Sequence, residues 1–222
     1  MAQLFRPGAD TVARLLLLAV VVTPFAGAAL AYGVRVSPHA TGQNISVPQP
    51  VPFSHKHHVG DLGLDCRFCH SGVERAAFAG IPSTQTCMTC HSQIWTNAAV
   101  LEPVRASWRA RQPMRWNSVN RLAQYVYFDH SIHVAKGVGC SECHGAVHEM
   151  NLVRQVTPMT MGWCLDCHRN PGPHLRPASA VFDTAWTPRD DPDPDKARRA
   201  RAYVAHNRID PKRLSDCTVC HR

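Results

Sequence analysis

From Leu15 to Val34 the chain runs twenty residues without a charge. At 1.5 Å per residue, such a run is long enough to cross a hydrocarbon core of about 30 Å. Arg6 and Arg14 precede it, which favours a cytoplasmic N-terminus and places everything after Arg35 on the outer side of the membrane. Ala26-Gly27-Ala28 and Ala29-Leu30-Ala31 offer the alternative of a cleaved export signal. The run exceeds the roughly 7 to 15 residues of a typical signal core, so a retained single-pass anchor is the expectation, with Pro24 tolerated as a kink. Beyond it, only short helices are predicted, at the Cys-x-x-Cys units and at two His-x-x-His turns. Residues 92 to 127, with Trp95, Trp108 and Trp116, read as a long haem-free insertion suited to packing on a partner. Asp-Pro-Asp-Pro-Asp at 191 to 195 reads as an extended linker before a basic helical stretch at 196 to 206.

Composition argues against an ordinary side-chain core. Seven Phe, five Trp and four Tyr are few large anchors for 222 residues, while seventeen Pro and thirteen Gly imply much irregular chain. The ten Cys and fourteen His change the picture. Every cysteine falls in a Cys-x-x-Cys-His unit: Cys66/Cys69/His70, Cys87/Cys90/His91, Cys140/Cys143/His144, Cys164/Cys167/His168 and Cys217/Cys220/His221. Random placement of His would produce all five followers about once in a million sequences, so the units read as c-type haem attachment motifs rather than disulfide partners or zinc ligands. In such a motif the two thiols take the haem vinyl groups as thioethers, and the adjacent imidazole reaches the iron. Five covalently bound haem c groups are expected, with His70, His91, His144, His168 and His221 as proximal ligands. Maturation of such motifs outside the cytoplasm agrees with an exported domain in the bacterial inner membrane, haems on the periplasmic side.

An internal repeat suggests the distal ligands. Phe53-Ser54-His55-Lys56-His57-His58-Val59 matches Phe128-Asp129-His130-Ser131-Ile132-His133-Val134 at an offset of 75, while Cys66 and Cys140 stand 74 apart. Two imidazoles three residues apart lie on one side of a helical turn and can reach two neighbouring irons. The alignment pairs His55 with His130 and His58 with His133, and leaves His57 opposite Ile132, so His57 is rejected. Four distal histidines serve four haems, and one haem needs another sixth ligand or keeps an open position. Met150, Met159, Met161 and His148 lie between the third and fourth motifs, and a thioether ligand would raise the potential of its haem. His206, eleven residues before Cys217 as His55 is before Cys66, is the best of the remaining histidines.

The expected organisation is a cytoplasmic N-terminus at 1–14, a transmembrane anchor at 15–34, a first module with haems 1 and 2 at 35–91, a haem-free insertion at 92–127, a second module with haems 3 and 4 at 128–182, and a linker with haem 5 at 183–222. The fold class is a multihaem cytochrome c with little regular secondary structure, short helices around five haems and one N-terminal transmembrane helix. About 38 residues per haem after the anchor leave macrocycles to dominate the core. Charge must then be recounted. Ten propionates and, when oxidised, five compensating iron charges take +8 to +3 oxidised and −2 reduced, so the basic polypeptide is no nucleic-acid signal.

The run Val126-Tyr127-Phe128-Asp129-His130-Ser131-Ile132-His133-Val134 with Gly137-Val138-Gly139-Cys140, followed by Met161-Gly162-Trp163-Cys164-Leu165-Asp166-Cys167-His168-Arg169, resembles the pentahaem cytochrome c family of alternative complex III, a bacterial quinol oxidoreductase. More distantly, the Phe-x-His-x-x-His modules are similar to the cytochrome c3 and c7 class. The resemblance covers roughly residues 50 to 222. It implies an electron-transfer component with no catalytic site of its own. It also implies an iron–sulfur subunit together with polytopic membrane subunits as partners, and delivery to a monohaem cytochrome c or a terminal oxidase. One Met ligand is implied too, for which Met150 and Met161 sit in matching positions, while His148 and His206 lie outside that pattern. Two rivals remain: a stand-alone membrane quinol dehydrogenase, and a pentahaem reductase enzyme. The second resembles this chain only in haem count, since its catalytic haem takes Lys where all five motifs here have His.

Overall fold

The structure is a computed structural model and describes residues 8–221. Arg6, part of the orientation argument, lies outside the described residues. The chain divides into two units, residues 1–42 and 43–222, each considered by itself.

In the first unit, α1 (Ala9–Val36) extends the predicted span at both ends and has no buried residue. It is long and apolar enough to cross a membrane by length and composition, a test that an export signal also passes. Asp10 and Arg14 pair at 2.8 Å one turn apart at its polar start, and Pro24 is accommodated without ending the helix. Ser37 closes α1 by donating its hydroxyl to the Val34 carbonyl, and its Oγ then caps α2 (Pro38–Thr41), with Pro38 at the first helical position.

The second unit is built from short helices, as expected: α3 (Cys66–Cys69), α4 (Thr84–His91), α5 (Glu102–Ala110), α6 (His130–Ala135), α7 (Cys140–His144), α8 (Met161–Arg169), α9 (Lys196–His206), α10 (Pro211–Leu214) and α11 (Cys217–Cys220). Among the described residues β-structure is confined to two isolated bridges, Ser46 with Arg154 and Val138 with Leu175. Only eight apolar residues among those described are buried: Val51, Val73, Leu101, Val104, Met150, Leu175, Ala180 and Val181. Side chains alone therefore leave the middle of the unit unfilled.

Two segments differ from their sequence-based expectation. Within the long insertion, α5 turns Leu101 and Val104 onto Val51, Cys87 and Met88, so the segment covers the second motif of its own chain. The acidic stretch at 191 to 195 is tied down. Asp191 is buried, accepts from the Tyr203 hydroxyl and pairs with Arg199, while Asp195 caps α9. Arg198 forks onto the Asp193 carboxylate at 2.7 and 2.8 Å, which holds that acid down at about 2. Helix α9 packs on the turn Gly172–His174, and α10 packs on α8.

Candidate haem-binding sites

Each attachment motif lies on or just beyond a short helix, and two of these helices are capped at their start by a side chain. Asp65 accepts from the Arg67 amide at the head of α3, and Thr160 from the Trp163 amide at the head of α8. One helical turn presents both cysteines of a motif on the same side and the following imidazole beyond them. No two of the ten cysteines are joined in a disulfide, and among the described residues no three His, Cys, Asp or Glu side chains gather to hold a single ion.

The two His-x-x-His turns are built alike. Phe53 stands edge-on to His55 (4.8 Å, 85°) and stacks on His58 (4.2 Å, 25°); Phe128 repeats this with His130 (4.8 Å, 89°) and His133 (4.4 Å, 29°). His58 Nδ1 donates to the Ser54 carbonyl and His133 Nδ1 to the Asp129 carbonyl, each one turn back. The copies differ in one respect. The first continues as a π-helical turn, Lys56–Asp61, the second as the regular α6. A π-turn absorbs one extra residue, which explains why the offset falls from 75 at the histidines to 74 at the cysteines.

These turns bring histidines close to the motif imidazoles. Ring centres are 6.2 Å apart for His58 and His91, 6.1 Å for His133 and His168, and 6.4 Å for His130 and His144. With a metal–imidazole nitrogen bond of about 2 Å, two rings either side of one metal have centres roughly 6 Å apart. His55 is nearest, electrostatically, to His70; burial first and then His70, His58 and His144 hold it down at about 4. His144 is also held at about 4 by burial, with His130 and His70 adding to it.

Iron needs neutral imidazoles with one nitrogen free, and the second nitrogen decides which one that is. Seven of the nine rings present Nδ1 to a backbone carbonyl: His58 and His133 as above, His70 to Gly80 (2.7 Å), His91 to Ile94 (3.3 Å), His130 to Ala77 (2.8 Å), His168 to Leu214 (3.0 Å) and His221 to Tyr125 (3.1 Å). A carbonyl only accepts, so Nδ1 carries the proton and Nε2 is left as a ligand. His144 Nδ1 faces the Asn120 side chain at 3.1 Å, whose Oδ1 is otherwise buried without a partner; turning that amide over gives both groups a bond. His55 has its Nδ1 buried without a partner, so the protein alone does not hold this ring. The residues present fit covalently held haem.

The remaining candidates separate. His57 faces Asp61 at 3.4 Å and stacks on Trp95, away from any motif histidine. His148 uses both ring nitrogens, Nδ1 on Thr184 and Nε2 near Glu149, and His206 is exposed at the end of α9. Met150 is 6% exposed and packs against Gly145, whereas Met161, in the first turn of α8, is 68% exposed.

The motifs adjoin in a definite spatial order. Cys69 lies within electrostatic reach of Cys87 and Cys90, which add to burial in raising it. Cys66 and Cys140 adjoin closely enough that each acts on the other, holding Cys66 down and pushing Cys140 up. Burial and the neighbouring Cys167 and Cys164 push Cys143 up to about 12, and Cys164 is raised by burial and Cys220. The order is second, first, third, fourth, fifth.

Next to the third motif is a buried polar cluster that sequence reasoning missed. Arg176, with a side chain 1% exposed, donates to Glu142 Oε1 (2.8 Å), Ser141 Oγ (3.0 Å) and the Asp183 carbonyl (3.2 Å), under the Trp186 ring. Glu142 Oε2 takes His174 at 3.1 Å. No motif or spacing marks these residues, because the Arg176 and His174 contacts with Glu142 and Ser141 span more than thirty positions.

Residues 33–115 match the class III cytochrome c family. The fold is that of a multihaem cytochrome c domain, with covalently bound haem c as its cofactor. Over 101 residues the chain is 37% identical to the multihaem cytochrome c subunit of menaquinone reductase from Nitratidesulfovibrio vulgaris, a match that spans 43% of this chain and 45% of that relative.

Proposed function

We propose that the chain is a membrane-anchored pentahaem electron carrier, working inside a respiratory quinol oxidoreductase of the alternative complex III type. The observation that carries this reading is the unbroken order of attachment segments, each touching or within electrostatic reach of the next. Each haem, when bound, supplies a reversible one-electron iron couple.

The residues then have distinct tasks. Cys66, Cys69, Cys87, Cys90, Cys140, Cys143, Cys164, Cys167, Cys217 and Cys220 hold the haems, and His70, His91, His144, His168 and His221 ligate from the proximal side. His55, His58, His130 and His133 are assigned to the first, second, third and fourth motifs. Of the two thioethers named from sequence, Met161 is the accessible one, and we assign it over the packed Met150 as the remaining distal ligand. Backbone carbonyls fix the ring tautomers and raise ligand basicity, which lowers potentials. We assign no catalytic side chain. An iron–sulfur subunit together with polytopic membrane subunits are the proposed partners, a periplasmic monohaem cytochrome or an oxidase the proposed acceptor, and α1 the anchor with the haem unit on the periplasmic side. The related protein belongs, by its name, to a menaquinone reductase, which favours a complex acting on menaquinone.

The test is purification from native membranes in mild detergent, with identification of co-purifying subunits and an assay of quinol-dependent haem reduction. Co-migration with iron–sulfur and polytopic subunits, on which reduction depends, is the expected result. A lone protein that quinol still reduces would replace this reading with a stand-alone quinol dehydrogenase.

A further inference from the structure

We propose that Arg176 is a positioning residue for electron transfer: its buried guanidinium, pressed against the third attachment segment, raises the reduction potential of the middle member of the relay. The inference rests on the relay reading above. The third motif lies in the centre of the spatial order, so its potential decides whether an electron crosses easily from one half of the chain to the other.

The contact is close. A Cβ built on Gly139 would lie 2.1 Å from Arg176 Cζ and Nε, so the guanidinium lies directly on the backbone that leads into Cys140. The guanidinium is also within electrostatic reach of Cys140 itself. A positive charge held in a poorly screened place opposes the positive charge of ferric iron and favours the reduced state.

Neutralisation is incomplete. One carboxylate, Glu142, serves two basic groups, with Oε1 on Arg176 and Oε2 on His174. The other acceptors of Arg176 are a hydroxyl and a backbone carbonyl, both uncharged. Packing alone does not account for this arrangement. Arg176 Nε is buried with no partner, a lost hydrogen bond that an apolar side chain of similar volume would have avoided.

The test is a potentiometric titration of the haem absorbance of the full-length holoprotein in detergent, for the wild type and for Arg176→Gln, Arg176→Lys and Glu142→Gln. Each step moves one electron from the mediator to iron, with no bond made or broken. Arg176→Gln is expected to move one midpoint down and Glu142→Gln to move one up, with Arg176→Lys near the wild type although its guanidinium bonds are lost. Opposite shifts separate charge from mere loosening, which would move both variants the same way. Should Arg176→Gln fail to fold, Glu142→Gln and Arg176→Lys still carry the comparison. Unmoved midpoints, or shifts of one sign, with all haems still low-spin, would overturn the proposal. A wild type without five titrating haems would instead overturn the relay reading.

Discussion

His58 and His91, thirty-three residues apart in the chain, lie close together with ring centres 6.2 Å apart. The spacing suits one metal between them, and a carbonyl at each Nδ1 leaves both Nε2 atoms to reach it. Replacing His58 by Ala should therefore remove one axial ligand and leave the others in place. The expected outcome is that one fifth of the haem absorbance becomes high-spin and binds carbon monoxide, read by difference spectroscopy on the reduced protein. His57→Ala, by contrast, should bind none, because that ring is turned to Asp61 and Trp95.

Asn120 stands against His144 Nδ1 and, with His144 as the proposed proximal ligand, would tune it from outside the iron sphere. With its amide oxygen accepting from Nδ1, Asn120→Asp strengthens that bond and the basicity of the ring, which favours ferric iron. A change of about 1 kcal/mol corresponds to roughly 40 mV for one electron. One midpoint in the potentiometric titration should fall by that order, and Asn120→Ala should raise one.

Much of this was legible in the sequence. The motifs, the Phe-x-His-x-x-His repeat and the apolar span are local patterns, and local geometry follows from them. The repeat was also the ground for rejecting His57 as a ligand. The π-turn at Lys56–Asp61 was visible only as a one-residue discrepancy between two offsets. Other features could not be read, because they join segments far apart in the chain: the Cys66–Cys140 contact, Asn120 against His144, and Arg176 against Glu142. The insertion at 92 to 127 read as a partner-facing segment because its anchors, Leu101 and Val104, find their counterpart in Val51, some fifty residues away.

Gly60 has a demand on space that the sequence hides. A Cβ there would stand 2.4 Å from the His148 backbone carbonyl, where the π-turn packs on the turn Val147–Glu149. Backbone cannot step aside as a flexible side chain can. Gly60→Ala should cost roughly 1–3 kcal/mol, measured by denaturant unfolding followed in the Soret band, and Gly63→Ala can be compared with it, where strain arises from a φ of +67° and not from a clash.

The bond to Glu142 raises His174 above its ordinary 6.5. The folded chain therefore holds this proton more tightly than the unfolded chain. Its contribution to stability is full below about 6.5 and is lost as pH rises through the raised folded value. Burial would raise Glu142, but His174 and Arg176 outweigh it and keep the carboxylate ionised across that window. Melting temperature should thus decline as pH rises above about 6.5 in the wild type, and His174→Gln should flatten that slope.

Eight buried apolar side chains are too few to outweigh the conformational entropy of the 180 residues from 43 onward. Before haem is attached, the chain has little reason to fold, so assembly and folding become one event rather than two. Any molecule that misses a haem keeps part of its length open to proteases.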